Sequence, residues 1–256
     1  MNIIQRPSPN MNTGRGGWVP DMIVCHTTEG SFDGAVSWLT NPESVASAHF
    51  VVARDGRVIQ LVQLADTAWS NGTSTTPTDS RWFGHATLSL VRERATNANR
   101  FTVSIEHEGK VAETGGALAP AQLDTTVALI THIRTEIKRL FAKEIPVNRQ
   151  HIVGHHEINP RTKSTCPGPK FPFDEIIRRL NTGASAVTSP IIPTITQPPT
   201  PLTQPAILSG PQPSDWAAEA WAWAISHRLT DGTNPQGTPT REQMVTLLHR
   251  YHTSML

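Results

Sequence analysis

The sequence predicts an α/β domain, a mixed β-sheet flanked by helices, followed by a small all-α C-terminal module. Three observations predict it: strand-length apolar runs set beside a long helical periodicity, an uncharged proline-rich segment that divides the chain, and a tryptophan-bearing helical stripe beyond that segment.

In the first domain, Met22-Ile23-Val24-Cys25-His26 is a short apolar run ending at the polar cluster Thr27-Thr28-Glu29-Gly30. Phe50-Val51-Val52 and Val58-Ile59-Gln60-Leu61-Val62 flank Arg54-Asp55-Gly56-Arg57, where Asp-Gly suits a tight hairpin turn. Phe101, Val103 and Ile105 alternate with Thr102, Ser104 and Glu106, the pattern of a strand with one face in the core. Leu123, Val127, Ile130, Ile133, Ile137 and Leu140 recur at spacings of three and four just after Pro120, which predicts an amphipathic helix of about five turns.

From Asn181 to Ser214 there is no Asp, Glu, Lys or Arg in 34 residues, and eight are proline. Such a stretch cannot bury a core and is biased to an extended spacer. The chain therefore divides into a domain at 1–180, a Pro/Thr-rich linker at 181–213 and a module at 214–256. In the module, Ser214-Asp215 caps a helix whose stripe is Trp216, Ala220, Trp223, Ala224 and His227, and Leu229-Thr230-Asp231-Gly232 breaks it. Thr240-Arg241-Glu242-Gln243 reads as a capping box opening a last short helix.

Composition excludes several classes of function. The chain has 256 residues, 37% hydrophobic and 17% charged, and no run approaches the roughly 18 apolar residues of a membrane span. Its formal charge is 22 − 21 = +1 with no Lys/Arg block, against a charge-driven nucleic-acid binder. Two cysteines cannot build a disulfide scaffold. The opening Met1-Asn2-Ile3-Ile4-Gln5-Arg6 lacks the basic-then-apolar pattern of a secretory signal, so synthesis in the cytoplasm is expected.

Three features stand apart as chemistry. They are His26 at the end of the first apolar run, Ser104-Ile105-Glu106-His107-Glu108-Gly109, and the stretch from Gly154-His155-His156-Glu157 to Lys163-Ser164-Thr165-Cys166-Pro167-Gly168. Two His and one Cys give Zn²⁺ three ligands and leave a fourth position for water, whose pKa the metal lowers toward about 7. A carboxylate beside that water can act as general base, and a cation can stabilise the oxyanion formed when an amide carbonyl is attacked. His26, His155 and Cys166 are candidate ligands, Glu106 the candidate base and Lys163 the candidate cation. His156, His151, His107, His49 and Cys25 compete for the ligand roles, although Cys25 should point to the opposite strand face from His26 and into the core.

The combination of Ile23-Val24-Cys25-His26-Thr27-Thr28, Ser47-Ala48-His49-Phe50-Val51-Val52, Arg54-Asp55-Gly56, Ser104-Ile105-Glu106-His107-Glu108-Gly109, and Gly154-His155-His156-Glu157 leading to Cys166-Pro167-Gly168 resembles the zinc-dependent N-acetylmuramoyl-L-alanine amidases. This is the type 2 family, akin to peptidoglycan recognition proteins. The resemblance covers roughly residues 18–180. It implies a mixed sheet with helices packed on it and one zinc ion in a groove. The implied reaction is cleavage of the amide between the lactyl group of N-acetylmuramic acid and the first L-alanine of the stem peptide. By position, His26, His155 and Cys166 match the three ligands and Glu106 the base. Ala48 stands where some relatives carry an active-site Tyr. The oxyanion role falls among Lys163, Ser164 and Thr165, with Lys163 chosen for its charge. Ala68-Trp69-Ser70-Asn71-Gly72 resembles a family segment that often has His after the Trp, and Ser70 stands in that place.

The C-terminal module resembles a single S-layer homology domain through Trp216-Ala217-Ala218-Glu219-Ala220-Trp221, Leu229-Thr230-Asp231-Gly232 and Thr240-Arg241-Glu242-Gln243. That resemblance implies attachment to wall-linked polysaccharide, with Arg241 as partner for an acidic sugar group. Together the two resemblances imply a phage or prophage endolysin that acts on the Gram-positive wall after release from the host cytoplasm. The alternative is a recognition protein that holds peptidoglycan without cutting it.

Overall fold

The computed structural model describes residues 1–183. The module expected at 214–256, Arg241 with it, and all but the first three residues of the expected linker lie outside the described residues. Among the described residues no helix is long and apolar enough to cross a membrane.

The described residues form eight strands: β1 (Ile3–Gln5), β2 (Met11–Asn12), β3 (Met22–Thr27), β4 (Phe50–Val52), β5 (Val58–Gln60), β6 (Thr67–Ala68), β7 (Thr102–His107) and β8 (Ile152–Gly154). Among the described residues six α-helices accompany them: α1 (Phe32–Leu39), α2 (Ser89–Arg94), α3 (Val111–Thr114), α4 (Pro120–Phe141), α5 (His155–Ile158) and α6 (Phe173–Thr182). Six strands make one mixed sheet in the order β1-β5-β4-β7-β3-β8, and β2 pairs with β6 apart from it. Only β4 and β5 run antiparallel in the large sheet, as the predicted hairpin. Gly56 closes that hairpin at φ +91°, where a Cβ would sit 2.8 Å from Thr125 Oγ1 on α4. The turn therefore needs glycine for its backbone and for its approach to the helix.

Both faces of the sheet are covered. On one, Ile23, Cys25, Phe50, Val52, Val103, Ile105 and Ile152 pack with Val127, Ile130, Ile133 and Ile137 of α4 and with Ile176 of α6. Helix α4 opens with Pro120 at its first turn, as the periodicity predicts, although Leu140 at the far end of the stripe is 40% exposed. On the other face, Met22, Val24, Phe101 and Val153 form one cluster, while Val51 and Ile59 form another with Phe32, Val36 and Leu39 of α1.

This double cover corrects the expectation that β7 buries a single face. Thr102 and Ser104 are buried as fully as Val103 and Ile105. Their alternation marks a second buried face lined with polar partners. Ser104 Oγ meets His49 Nδ1 at 3.1 Å, and Thr102 Oγ1 accepts from Asn71 Nδ2 at 2.9 Å.

Two buried histidines make stability depend on pH. Burial, and then the charge of Arg15 2.9 Å away, hold the His49 imidazole well below its ordinary value, and burial pulls His107 down to about 4. In the unfolded chain both protonate near 6.5, so below that pH the unfolded state takes up protons that the folded state refuses. Stability is then lost as pH falls from about 6.5 to 4, with His107 alone accounting for about 3 kcal/mol at the lower end. Urea unfolding of the full chain in excess chelator should show a midpoint clearly lower at pH 4.5 than at pH 7.5. His107→Gln should lose less of its midpoint over the same interval than the wild type, and an equal fall in the two would refute the assignment.

Candidate active site

Strand register assembles the site. In the parallel triplet β7-β3-β8, His26 pairs with Glu106 and Cys25 with Gly154, so His26, Glu106 and the residue after Gly154 meet at the carboxyl ends of three adjacent strands. That is where open α/β sheets place their ligands. His155 is the first residue of α5. Glu157 fixes that helix by accepting from the Gly154 N–H at 2.7 Å and from Arg149 Nη2 at 2.6 Å.

The two adjacent histidines have separate tasks. His155 turns inward, with its ring centroid 4.5 Å from that of His26 in a T-shaped pair. His156 turns toward the following loop, where its main-chain N–H and ring Nδ1 reach the Cys166 carbonyl at 2.9 and 2.8 Å. Cys166 Sγ lies 3.9 Å from His26 Nδ1. One donor atom each from His26, His155 and Cys166 falls within 4.8 Å of the others. Glu106 stands beside them, Oε1 3.8 Å from His26 Nδ1.

The Cys166 loop is held through its main chain. Thr27 Oγ1 donates to the Pro167 carbonyl at 2.7 Å, and the Lys170 N–H donates to the Gly115 carbonyl at 2.8 Å. Gly116 has φ +88°, and a Cβ there would fall 2.2 Å from the Pro167 carbonyl oxygen. Gly116→Ala should therefore displace the loop that carries Cys166, costing about 1–3 kcal/mol and weakening the site for metal. Gly17→Ala is the control, since Gly17 has φ +82° and nothing within 4 Å of its missing Cβ. Thermal melts and Zn²⁺ competition titrations on both variants check this. Equal metal affinity in the two would show that the loop does not position Cys166.

Electrostatics favour a cation here. Burial, and then the neighbouring His155 and His107 rings and the charge of Lys163, hold His26 well below its ordinary value, while the Asn71 side chain beside the ring acts the other way. Burial, then Lys163 and His156, takes His155 down to about 3, so both imidazoles are neutral, the form that ligates. Burial, and then Glu106, pushes the Cys166 thiol up to about 12, while a Thr27 backbone hydrogen bond and Lys163 oppose this. A bound cation is what would draw off that proton. Burial pushes the Glu106 carboxyl up to about 7 against the charge of Lys163. Glu106 Oε2 and His26 Nε2 are buried without hydrogen-bond partners. Two imidazoles, a thiol and a nearby carboxylate fit a zinc-type donor set.

These groups open on a cleft of about 440 Å³. Lys163, Ser164 and Thr165 line it from an exposed loop, Trp38 and Trp69 form an apolar side, and Ser70 adjoins them. The other sequence candidates lie elsewhere. His49 is bound to Arg15 and Ser104, His107 Nδ1 meets the His26 carbonyl oxygen, and His151 Nδ1 meets Asn148 Oδ1. Cys25 is in the core, and Ala48 is fully buried while its neighbours Ala46 and Ser47 reach the cleft. Sequence reading missed Asn71, Thr27, Gly116 and Trp38. Thr27 had a signal in its position beside His26, and the others had none without the fold.

Residues 16–169 match the family described as N-acetylmuramoyl-L-alanine amidase, more than half of the chain. The chain belongs to the N-acetylmuramoyl-L-alanine amidase family. N-acetylmuramoyl-L-alanine amidase A of Achromobacter lyticus is 26% identical over 191 residues, 70% of this chain and 94% of that relative. Among solved structures, a selenomethionine AmpD derivative is 24% identical, covering 70% of this chain and 93% of its own, with a TM-score of 0.49. The amidase LysC of Clostridium intestinale URNW is 18% identical, covering 71% and 98%, with a TM-score of 0.44. Membership gives this amidase-family domain its coarse chemistry, hydrolysis of an amide in peptidoglycan. The cleft, with its carboxylate and donor cluster, lies inside the matched span.

Proposed function

We propose that this amidase-family chain is zinc-dependent and cuts the bond between the lactyl group of N-acetylmuramic acid and the L-alanine of the stem peptide in Gram-positive walls. The observation that carries the proposal is the meeting of His26, His155 and Cys166 beside the buried Glu106, at the floor of an open cleft. His26, His155 and Cys166 would hold one ion. When bound, Zn²⁺ with three protein ligands keeps an open position, makes water there acidic near pH 7 and polarises a carbonyl oxygen.

The protein groups do the rest. Glu106, ionised, takes the proton of the attacking water and returns it to the α-amino group of alanine as the amide breaks. Lys163 brings positive charge to the oxyanion from the cleft rim. Residues 181–213 would act as the spacer and 214–256 as the wall-binding module, with Arg241 contacting an acidic sugar. Endolysin-like lysis is the role this domain order suits.

Digestion of purified Gram-positive walls tests the reaction, following new amino-terminal alanine and new reducing sugar ends together. New alanine termini without new reducing ends, lost in Cys166→Ser, are expected. Wall binding with no new ends of either kind would overturn the proposal in favour of a recognition protein.

A further inference from the structure

His26 Nδ1 faces Cys166 and Glu106, which leaves Nε2 on the opposite side of the ring, buried and without a partner. Asn71 also has a buried oxygen without a partner, Oδ1. Its orientation is settled by its neighbours. Thr102 Oγ1 gives its own proton to the Ala98 carbonyl at 2.8 Å, so toward Asn71 it can only accept, and Asn71 Nδ2 donates to it at 2.9 Å. The main-chain N–H of Asn71 is anchored on Asn99 Oδ1 at 2.6 Å. With Nδ2 committed to Thr102, Oδ1 is the polar end left for the His26 ring, beside which the Asn71 side chain lies.

We propose that Asn71 is a positioning residue whose Oδ1 accepts the Nε2–H of His26, fixing the tautomer and ring orientation that present the Nδ1 lone pair to a metal ion. The competing tautomer would put the proton on Nδ1, where Glu106 Oε1 at 3.8 Å is too far for a hydrogen bond and the Cys166 sulfur at 3.9 Å is a weaker acceptor than an amide oxygen. An outer partner of this kind commonly sets metal affinity by about 10–100-fold. The inference rests on the reading of His26 as a ligand.

Two measurements on the full chain test it. The first is the long-range ¹H–¹⁵N pattern of the metal-free protein labelled at histidine, with His26 assigned by its loss in His26→Gln. Protonation of His26 at Nε2 is expected, and protonation at Nδ1 overturns the proposal. The second is Zn²⁺ affinity by competition with a chromophoric chelator. Asn71→Leu, which removes the acceptor, should bind about 10–100-fold more weakly. Asn71→Asp should restore binding to within a few-fold of wild type, because a carboxylate accepts the same proton while the Thr102 hydroxyl turns its own proton from the Ala98 carbonyl to the second carboxylate oxygen. Unchanged affinity in Asn71→Leu, or no recovery in Asn71→Asp, overturns the proposal. If Asn71→Leu does not fold, the tautomer and Asn71→Asp still decide. A wild type that takes up no Zn²⁺ would instead remove the metal reading of the cluster, with the tautomer still reporting on Asn71.

Discussion

Glu106→Gln should lower kcat/KM by about 10²–10⁴-fold while leaving one zinc ion per chain and an unchanged melting profile. The side chain keeps its shape but loses the ability to take a proton. The pH profile carries the same information with a definite sign. As the base Glu106 would work ionised, and burial, against the charge of Lys163, sets its carboxyl at about 7. A bound cation would draw that value down, so the acid limb of kcat/KM should fall at or below pH 7. Lys163 also holds the carboxyl down, and Lys163→Met should therefore move the limb to higher pH as well as slow the reaction. A Glu106→Gln enzyme at wild-type rate, or a limb that moves to lower pH in Lys163→Met, would exclude Glu106 as the base.

Removing the ion, or one of its ligands, should have the largest effect of all. Chelation is expected to cost several kcal/mol of transition-state stabilisation, about 10³-fold or more in rate, with recovery on adding Zn²⁺. His155→Ala should show the same loss without recovery. A second readout is independent of activity. Zn²⁺ at about 100 times its dissociation constant should stabilise the wild type by about 2.7 kcal/mol, visible as a raised Tm, and His155→Ala should show no rise. Full activity in a metal-free preparation, checked by elemental analysis, would defeat the metal assignment.

Much of this domain was legible in the sequence, and the exceptions have physical reasons. The β4–β5 hairpin and α4 were readable because each is specified locally, by Asp55-Gly56 and by a repeat beginning at Pro120. The residues that meet at the cluster could be nominated because His, Cys and Glu at the ends of apolar runs are chemically conspicuous. The second buried face of β7 was not readable. Ser104 and Thr102 look solvent-facing by alternation, and only the packing of His49 and Asn71 against them reveals otherwise. Asn71 was likewise silent, since an asparagine in a polar loop declares nothing until its two ends are placed. The separate tasks of His155 and His156 also needed the backbone, because α5 decides which ring turns toward the cluster.

The order of strands in the large sheet has a further consequence, for how the chain reaches this state. Only the Val52–Val58 end of the hairpin joins near neighbours. The other pairings join Ile3 to Val58, Phe50 to Ile105, Met22 to Thr102 and Ile23 to Ile152. Each distant pairing pays its loop-closure entropy before its contacts form, which makes such topologies slow to fold compared with helical bundles of similar size. His26 and Cys166 are themselves 140 positions apart. No hairpin or half-sheet holds a partial cleft that could be kept while the remainder forms. The smallest piece of this chain that can carry the cluster is nearly the whole described domain.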